Sequence, residues 1–175
     1  RYGRRQRQMC IRDSLNIPML AHCYERALLS GVCDNLVIAT PDKEIIDWAT
    51  QFEIPSVLTS HSHKRATERA KETLDTLTND GLHYDLVLLL QGDEPQIFPQ
   101  DIGNLKQAFS NKELEVVNLV FPISDDDLED PNVVKVALDL DLTIHFFSRS
   151  HIPHDCISGY RPVSYTHLRA HETRI

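Results

Sequence analysis

Two adjacent carboxylates, Asp93 and Glu94, follow directly on the short apolar run from Leu86 to Leu90. A run that short and that apolar predicts a strand buried on both faces of a parallel sheet. Ligands of such sheets bind at the carboxyl ends of the strands, and Gly92 would let the backbone approach one closely. Two carboxylates at that point suit a hard divalent cation that bridges phosphates. The alternative is an ordinary polar exit from the strand, since Asp and Pro are common turn residues.

A second candidate group opens a polar helix predicted over residues 65–78, where Thr67 and Arg69 lie in the first turns. Cations and hydroxyls at a helix N-terminus favour an anion or a nucleotide, because free backbone N–H groups and the helix dipole add to them. The alternative is a solvated first turn that carries an exposed charge pair.

Two cations stand out in the second half of the chain. Lys135 lies among β-branched residues of a predicted strand, and its side chain projects into a cleft or, more commonly, into water. Arg149 stands just past an aromatic strand end, where a planar guanidinium can clamp a carboxylate through two hydrogen bonds. The alternative for Arg149 is a charge that protects an edge strand from pairing. The acidic run 124–130 lacks the spacing and the glycine of a calcium loop and is interpreted as a solvated turn.

Helix and strand signals alternate through the first half of the chain, and strands follow one another in the second half. The patterns predict helices over residues 18–30, 41–52, 65–78 and 99–110, and strands over residues 35–40, 56–58, 84–90, 115–122, 133–138 and 144–148. The alternation is typical of βα repeats with a parallel sheet. We therefore predict one α/β domain over residues 15–162, with a mostly parallel sheet flanked by helices.

The two ends of the chain do not share this pattern. Residues 1–14 are rich in arginine, residues 163–175 show no apolar period, and both segments resemble translated sequencing-adapter read-through. We set them aside as an artefactual, disordered leader and an artefactual tail. A basic nucleic-acid-binding arm is the alternative interpretation of the leader.

Charge and composition exclude several classes of protein. The net charge is −8, and residues 15–162 are more acidic still because both ends carry a basic excess. This argues against a general nucleic-acid or anionic-membrane binder but allows a small phosphorylated ligand. Cysteines without C-x-x-C spacing, and no apolar stretch of the ~18 residues that span a bilayer, predict a soluble cytoplasmic protein with reduced thiols. The sequence also lacks the motifs of dehydrogenases, P-loop NTPases and α/β-hydrolases.

Six segments, taken in order, resemble the CMP-KDO synthetase family, the 3-deoxy-manno-octulosonate (KDO) cytidylyltransferases. They are Pro18 to Ala27, Val37 to Asp42, Thr67 to Arg69, Gln91 to Pro95, Pro131 to Val136 and Phe147 to Pro153. The resemblance covers residues 15–155, and its Gln-Gly-Asp-Glu-Pro and Phe-Ser-Arg elements are fairly specific to the family. It implies a Rossmann-like nucleotide-diphospho-sugar transferase fold, incomplete here because the family's two ends are missing.

The family's reaction converts CTP and KDO to CMP-KDO and pyrophosphate, which activates the sugar for lipopolysaccharide biosynthesis. The resemblance implies that Asp93 binds a catalytic Mg²⁺ and that Gln91 contacts substrate. It places Thr67 and Arg69 on the nucleotide side of the site.

On the sugar side, the resemblance implies that Arg149 faces the KDO carboxylate. Lys135 matches a family position and joins Asp93 and Arg149 in the catalytic set. CTP and KDO are the implied partners, without nucleic acid or membrane, and a homodimer is expected of the full-length protein.

The chain departs from the family in three places. The family's phosphate-binding loop is expected before Leu15, and a further metal-binding Asp and much of the dimer contact are expected after Arg161. The small residues usual at the start of the polar helix are replaced by Lys64, Arg65 and Ala66. We therefore expect the 175-residue chain to be inactive alone. Two other functions stay open: a nucleotidyltransferase for another acidic sugar, amino-KDO or sialic-acid-like, and a non-catalytic α/β binding module.

Overall fold

The computed structural model describes residues 13–14, 17–111, 113–152 and 159–169, and for residues 13–14 and 163–169 it describes the backbone alone. The chain divides into two compact units, one of Arg1–Val117 with Thr166–Ile175 and one of Asn118–Tyr165. Most of the predicted leader and the end of the predicted tail lie outside the described residues. The domain boundaries at residues 15 and 162 therefore stay predictions.

Short strands alternate with helices along the first unit. The strands are β1 (Asp13–Ser14), β2 (Ile17–Pro18), β3 (Ile38–Thr40), β4 (Ser56–Leu58) and β5 (Leu86–Leu90), and the helices are α1 (Met19–Leu29), α2 (Lys43–Gln51), α3 (Ala66–Asn79) and α4 (Pro99–Ala108). β3 and β4 pair in parallel, with Ile38 opposite Ser56, as the two strands of a βαβ unit do. The predicted α/β class is confirmed. Along the described residues, no helix combines the length and the apolar character that crossing a membrane requires.

The core of the first unit forms where α2 packs on this parallel pair. Ile45 and Ala49 are four residues apart on α2, which puts both side chains on one helix face. Both are buried together with Ile38 of β3. Partly buried apolar side chains surround this cluster: Leu20, Tyr24, Trp48 and Ile54. Helix α1, which supplies two of them, therefore packs against the same core.

The second unit is built mainly of strands. In chain order its elements are β6 (Val116–Pro122), α5 (Asp125–Glu129), β7 (Lys135–Leu138), β8 (Ile144–Ser148) and β9 (Tyr160–Arg169), of which β6 and β9 also have residues in the first unit. β7 and β8 form an antiparallel hairpin with Lys135 opposite Ser148, and Val136 lies opposite Tyr160 in a second antiparallel pairing. Two of the three strands predicted in a row, β7 and β8, thus pair antiparallel, while β3 and β4 pair in parallel.

The sequence analysis did not predict the strands β1, β2 and β9, and two further elements differ from the predictions. Every residue of β5 is half-buried, where the sequence predicts full burial on both faces. The acidic run 124–130 contains a short helix, α5, and the Ser124 hydroxyl accepts a hydrogen bond from Asp127 N at 3.3 Å, as an N-cap does. The interpretation as a solvated turn missed Leu128, which is 5 % exposed and gives this acidic segment a packed apolar face.

Candidate functional site

The motif at residues 91–95 forms a turn at the carboxyl end of β5. Glu94 N donates a hydrogen bond to Gln91 O at 3.4 Å, and we name residues 91–94 the Asp93 turn. Asp93 is exposed, whereas Gln91 and Glu94 are half-buried. Among the described residues no hydrogen bond or ion pair engages the Asp93 carboxylate. An exposed carboxylate without a partner among these residues is available to a cation.

Helix α1 fixes the position of the Asp93 turn. A Cβ atom built on Gly92 would lie 3.0 Å from Leu20 Cδ1, tighter than ordinary van der Waals contact. Farther along α1, Arg26 Nη1 donates to Ile97 O at 3.4 Å, and Ile97 is buried. The sequence suggested that Gly92 admits a ligand. The close neighbour in the structure is instead a side chain of the protein.

The residues predicted for the nucleotide side lie at the start of α3. Arg69 Nη1 donates to the Thr59 hydroxyl and to Ser60 O at 3.4 Å. Thr59 is buried, and its N–H donates to Thr40 O at 2.9 Å, which continues the pairing of β3 and β4. Arg69 is therefore fixed to the carboxyl end of β4. Thr67 is half-buried in the first turn of the same helix.

A histidine–carboxylate contact that the sequence analysis missed ties the segment before α3 to the helix. His63 Nε2 lies 2.5 Å from Glu72 Oε2, and the same oxygen accepts a hydrogen bond from Ser60 N at 2.9 Å. The bond from Ser60 N, followed by that from His63, lowers the pKa of Glu72 below its usual value. His63 and Glu72 are nine residues apart, a separation with no signal in a sequence pattern.

The N-terminus of α3 is capped from inside the helix. Arg65 is the N-cap residue, and its side chain offers donors but no acceptor. Glu68 Oε2 accepts from Lys64 N at 2.9 Å and from Arg65 N at 3.4 Å. The bond from Lys64 N is the main reason that the pKa of Glu68 lies below its usual value. A glutamate three residues after the N-cap is the signal that could have predicted this contact.

Lys135 is buried, so the interpretation of a side chain projecting into water is wrong. It is 1 % exposed, and its Nζ donates to Asp130 O at 2.5 Å and to Arg149 O at 3.1 Å. The register of the hairpin explains the second bond, since Lys135 lies opposite Ser148 and therefore next to Arg149. A buried ammonium must be hydrogen-bonded, and here two backbone carbonyls meet that need.

Arg149 is exposed and is bonded at one nitrogen. Nη1 donates to Asn132 O at 3.0 Å and, over a longer distance, to Pro131 O at 3.5 Å. A guanidinium has five N–H donors, and most of those of Arg149 have no acceptor among the described residues, so they can bind a ligand. Within the second unit, the structure thus brings the predicted residues Lys135 and Arg149 together.

Asp93 by itself is the candidate metal ligand. In the described part of the chain, no group of three or more His, Cys, Asp or Glu side chains could hold a metal ion. Mg²⁺ is usually held by one or two carboxylates, together with phosphate oxygens of the substrate and water. The exposed carboxylate of Asp93 fits that set of ligands.

Proteins of the α/β class bind their ligands, nucleotides among them, outside the carboxyl ends of the strands, and the Asp93 turn lies at such an end, directly after β5. The family model for cytidylyltransferases matches residues 9–167 of this chain. The chain therefore belongs to the cytidylyltransferase family. Members of this family generally use a divalent metal ion.

Several curated relatives carry a more specific name. The 3-deoxy-manno-octulosonate cytidylyltransferase of Thermodesulfovibrio yellowstonii is 35% identical over 144 residues, which cover 80% of this chain and 56% of that protein. The protein of the same name from Syntrophobacter fumaroxidans is 37% identical over 81% of this chain and 56% of its own length. The 8-amino-3,8-dideoxy-manno-octulosonate cytidylyltransferase of Shewanella frigidimarina is 38% identical over 86% of this chain and 62% of its own length. The chain spans somewhat more than half the length of these relatives.

A solved structure gives the same result for the fold. The structure of CMP:2-keto-3-deoxy-manno-octonic acid synthetase complexed with CTP matches this chain with a TM-score of 0.86 at 27% identity, over 95% of this chain and 69% of the other. The resemblance to the CMP-KDO synthetase family and the nucleotide-diphospho-sugar transferase fold, both predicted from the sequence, are confirmed.

Proposed function

We propose that this chain belongs to an enzyme that transfers CMP from CTP to KDO, giving CMP-KDO and pyrophosphate for lipopolysaccharide biosynthesis. The observation that carries the proposal is the exposed carboxylate of Asp93, which has no partner among the described residues and lies on a turn that α1 fixes. The names of the Thermodesulfovibrio and Syntrophobacter relatives support the same reaction.

The chemistry needs positioned charges more than it needs a nucleophile from the protein. The anomeric hydroxyl oxygen of the sugar forms a bond to the α-phosphorus of CTP, the bond from that phosphorus to the bridging oxygen breaks, and the hydroxyl proton leaves to solvent. Positioning and charge stabilisation supply most of the acceleration in such transfers. We assign Asp93 as the ligand of Mg²⁺, which when bound offsets charge on the phosphate oxygens. Gln91 would contact substrate from the same turn.

On the nucleotide side, we assign Thr67 and Arg69. Arg69 is fixed at Nη1 by the Thr59 hydroxyl and Ser60 O, which sets the plane of its guanidinium. The remaining N–H groups of a guanidinium fixed in this way suit phosphate or ribose oxygens of the nucleotide.

On the sugar side, we assign Arg149 to the carboxylate of KDO. Its Nη1 is held by Asn132 O, while the side chain is exposed. A planar guanidinium can bind a carboxylate through two parallel hydrogen bonds, which an ammonium cannot do. The acidic sugar therefore matches the free edge of Arg149.

A second sugar deserves a test beside KDO. The Shewanella relative, named for the 8-amino-3,8-dideoxy sugar, shares 38% identity with this chain. Both sugars carry the carboxylate that we assign to Arg149, so this contact does not distinguish them. A sialic-acid-like sugar carries the same group. Assays with the three sugars in parallel rank them, and the highest kcat/KM identifies the substrate.

The setting of the enzyme is also part of the proposal. We place it in the cytoplasm, because CTP and activated sugars are cytoplasmic metabolites and the cysteine pattern suits reduced thiols. We expect the full-length protein to be a homodimer. Sedimentation velocity on a protein as long as the curated relatives measures its oligomeric state. A monomer across the accessible concentration range would contradict this part.

The metal assignment can be tested on the 175-residue chain with Mn²⁺ as a paramagnetic probe in the presence of CTP. We expect the amide NMR signals of residues 91–94 to broaden in the wild type and to remain sharp in Asp93→Asn. Asp80→Asn, which removes an exposed carboxylate at the end of α3, is the control and leaves the broadening intact. Wild-type signals that stay sharp at residues 91–94 would contradict the assignment.

Activity is measured in a chimera in which residues 17–152 replace the corresponding segment of the Thermodesulfovibrio protein. We expect Asp93→Asn to lower the rate of pyrophosphate release from CTP and KDO at least about 100-fold, since a lost metal ligand removes several kcal/mol of transition-state stabilisation. Asp80→Asn should leave this rate unchanged, and the 175-residue chain alone should release no pyrophosphate. A chimera that keeps its full rate after Asp93→Asn would favour a non-catalytic role for this turn.

A further inference from the structure

We propose that Lys135 is a positioning residue for Arg149 and holds the guanidinium in the orientation in which it receives the carboxylate of a sugar. It does so through the backbone of residues 130–132, which we name the 130–132 loop. The carboxylate ligand rests on the proposed function, whereas the positioning rests on hydrogen bonds within the second unit.

Three consecutive carbonyls of the 130–132 loop accept hydrogen bonds from the two cations. Lys135 Nζ bonds Asp130 O at 2.5 Å, and Arg149 Nη1 bonds Pro131 O at 3.5 Å and Asn132 O at 3.0 Å. Lys135 Nζ also bonds Arg149 O at 3.1 Å. A single ammonium is thus bonded to the backbone of Arg149 and to the loop that receives the side chain of Arg149.

A further pair of hydrogen bonds fixes the shape of the 130–132 loop. Asp130 Oδ1 accepts from Asn132 N at 2.8 Å and from Asn132 Nδ2 at 2.9 Å, so the side chain closes an Asx turn. Because the loop is closed in this way, its three carbonyl groups keep fixed orientations relative to one another. Asp130 O also accepts from Val133 N at 3.1 Å. The bond from Lys135 therefore acts together with this backbone bond in setting the direction of the two carbonyls that hold Arg149.

Burial separates the positioning role from a catalytic one. Lys135 is 1 % exposed and both of its hydrogen bonds end on backbone carbonyls, so a substrate does not reach its Nζ. Arg149 is exposed and carries the free donors. An exposed arginine loses rotamer freedom when it binds a ligand, and one that is already held loses less. Lys135 acts on the ligand by keeping Arg149 in place.

The positioning is tested by NMR of the Arg149 side chain in the 175-residue chain. A held guanidinium rotates slowly and gives separate Nη signals, whereas a free one gives an averaged signal. We expect separate signals in the wild type and an averaged signal in Lys135→Met, which keeps an unbranched apolar chain but removes the donors. Arg161, an exposed arginine of the same unit, is the internal reference and does not change. Separate Arg149 signals in a folded Lys135→Met variant overturn the proposal.

A measurement on the wild type covers the case in which Lys135→Met does not fold. Scalar couplings through hydrogen bonds should connect Lys135 Nζ to the carbonyl carbons of Asp130 and Arg149. Their presence supports the network, and a rapidly exchanging Lys135 ammonium without such couplings overturns it.

The consequence for the ligand is measured with KDO as the probe. We expect Lys135→Met to weaken KDO binding to the chain at least about tenfold and, in the chimera, to raise KM for KDO while leaving KM for CTP unchanged. Lys71→Met, which removes a lysine of α3 in the first unit, is the matched control and leaves both constants unchanged. Equal KDO affinity of the wild type and Lys135→Met overturns the proposal. A wild-type chain that holds Arg149 but does not bind KDO counts against the proposed function instead.

Discussion

The Asp93 turn and the network of Lys135, Arg149 and the 130–132 loop satisfy their charges in opposite ways. The Asp93 carboxylate is exposed and without a partner among the described residues, whereas both cations already bond to backbone carbonyls. The difference follows from burial. An exposed carboxylate is stabilised by water, but an ammonium that is 1 % exposed must find its acceptors within the protein.

The comparison distinguishes residues that stabilise the fold from residues that are available to bind a ligand. A group that is hydrogen-bonded within the protein contributes to stability and constrains its neighbours. A group left without partners adds little to stability and keeps its full interaction for the ligand. Within the network, Lys135 belongs to the first kind, and Arg149 combines one fixed nitrogen with free donors.

The distinction between these two kinds of residue would fail if Lys135 and Asp93 contributed equally to stability. We expect Lys135→Met to lower the free energy of unfolding of the second unit by about 1 to 3 kcal/mol. The variant leaves Arg149 O without the donor that Lys135 supplies, while Asp130 O keeps its bond from Val133 N. We expect Asp93→Asn to change the stability of the first unit by less than about 0.5 kcal/mol. Urea titrations followed by the amide signals of Val136 and Ile45 measure the two units separately. Similar losses for both variants would contradict the distinction.

A smaller effect sharpens the description of the Asp93 turn. Gly92→Ala would place a Cβ 3.0 Å from Leu20 Cδ1, so the leucine must shift, and we expect a loss of about 1 kcal/mol. Gly103→Ala is the matched control, because no atom lies within 4 Å of its Cβ position and it lies inside α4. Alanine there should stabilise the protein by about 0.5 to 1 kcal/mol. Thermal unfolding measures both, and equal signs would show that α1 does not constrain the turn.

Features with a local period could be predicted from the sequence. The apolar run before Asp93 predicted β5, and the helical pattern over residues 41–52 predicted the helix that forms as α2. These predictions succeeded because strand and helix periods depend on neighbours in the chain. The order of the motifs along the chain also indicated the cytidylyltransferase family, and the comparisons confirm that prediction.

Contacts between distant positions could not be predicted in this way. Nothing in the residues around Lys135 shows that its Nζ reaches Asp130 O, because the bond depends on the hairpin register and the path of the 130–132 loop. The contact of His63 with Glu72 likewise needs the turn before α3. Leu128 shows the same limit on a smaller scale, since one apolar residue in an acidic run is a weak pattern. Sequence thus located candidate groups, and the structure decided which of them are already bonded.

The smallest expected effect concerns the pH dependence of the network. The hydrogen bond from Asn132 N holds the pKa of the Asp130 carboxyl below its usual value of 3.8, and the Asn132 side chain and the charge of Lys135 act in the same direction. A lowered pKa in the folded state means that the ionised carboxylate contributes stability above pH 3.8 and that this contribution is lost as the pH falls through the folded pKa. We expect a ¹³C titration of the Asp130 carboxyl to give a midpoint below 3.8 in the wild type and a midpoint closer to 3.8 in Lys135→Met. Asp130→Asn should flatten the dependence of stability on pH in this acidic range. A wild-type midpoint at or above 3.8 would show that the 130–132 loop is not closed in solution, and the network would then lack the acceptor set on which it depends.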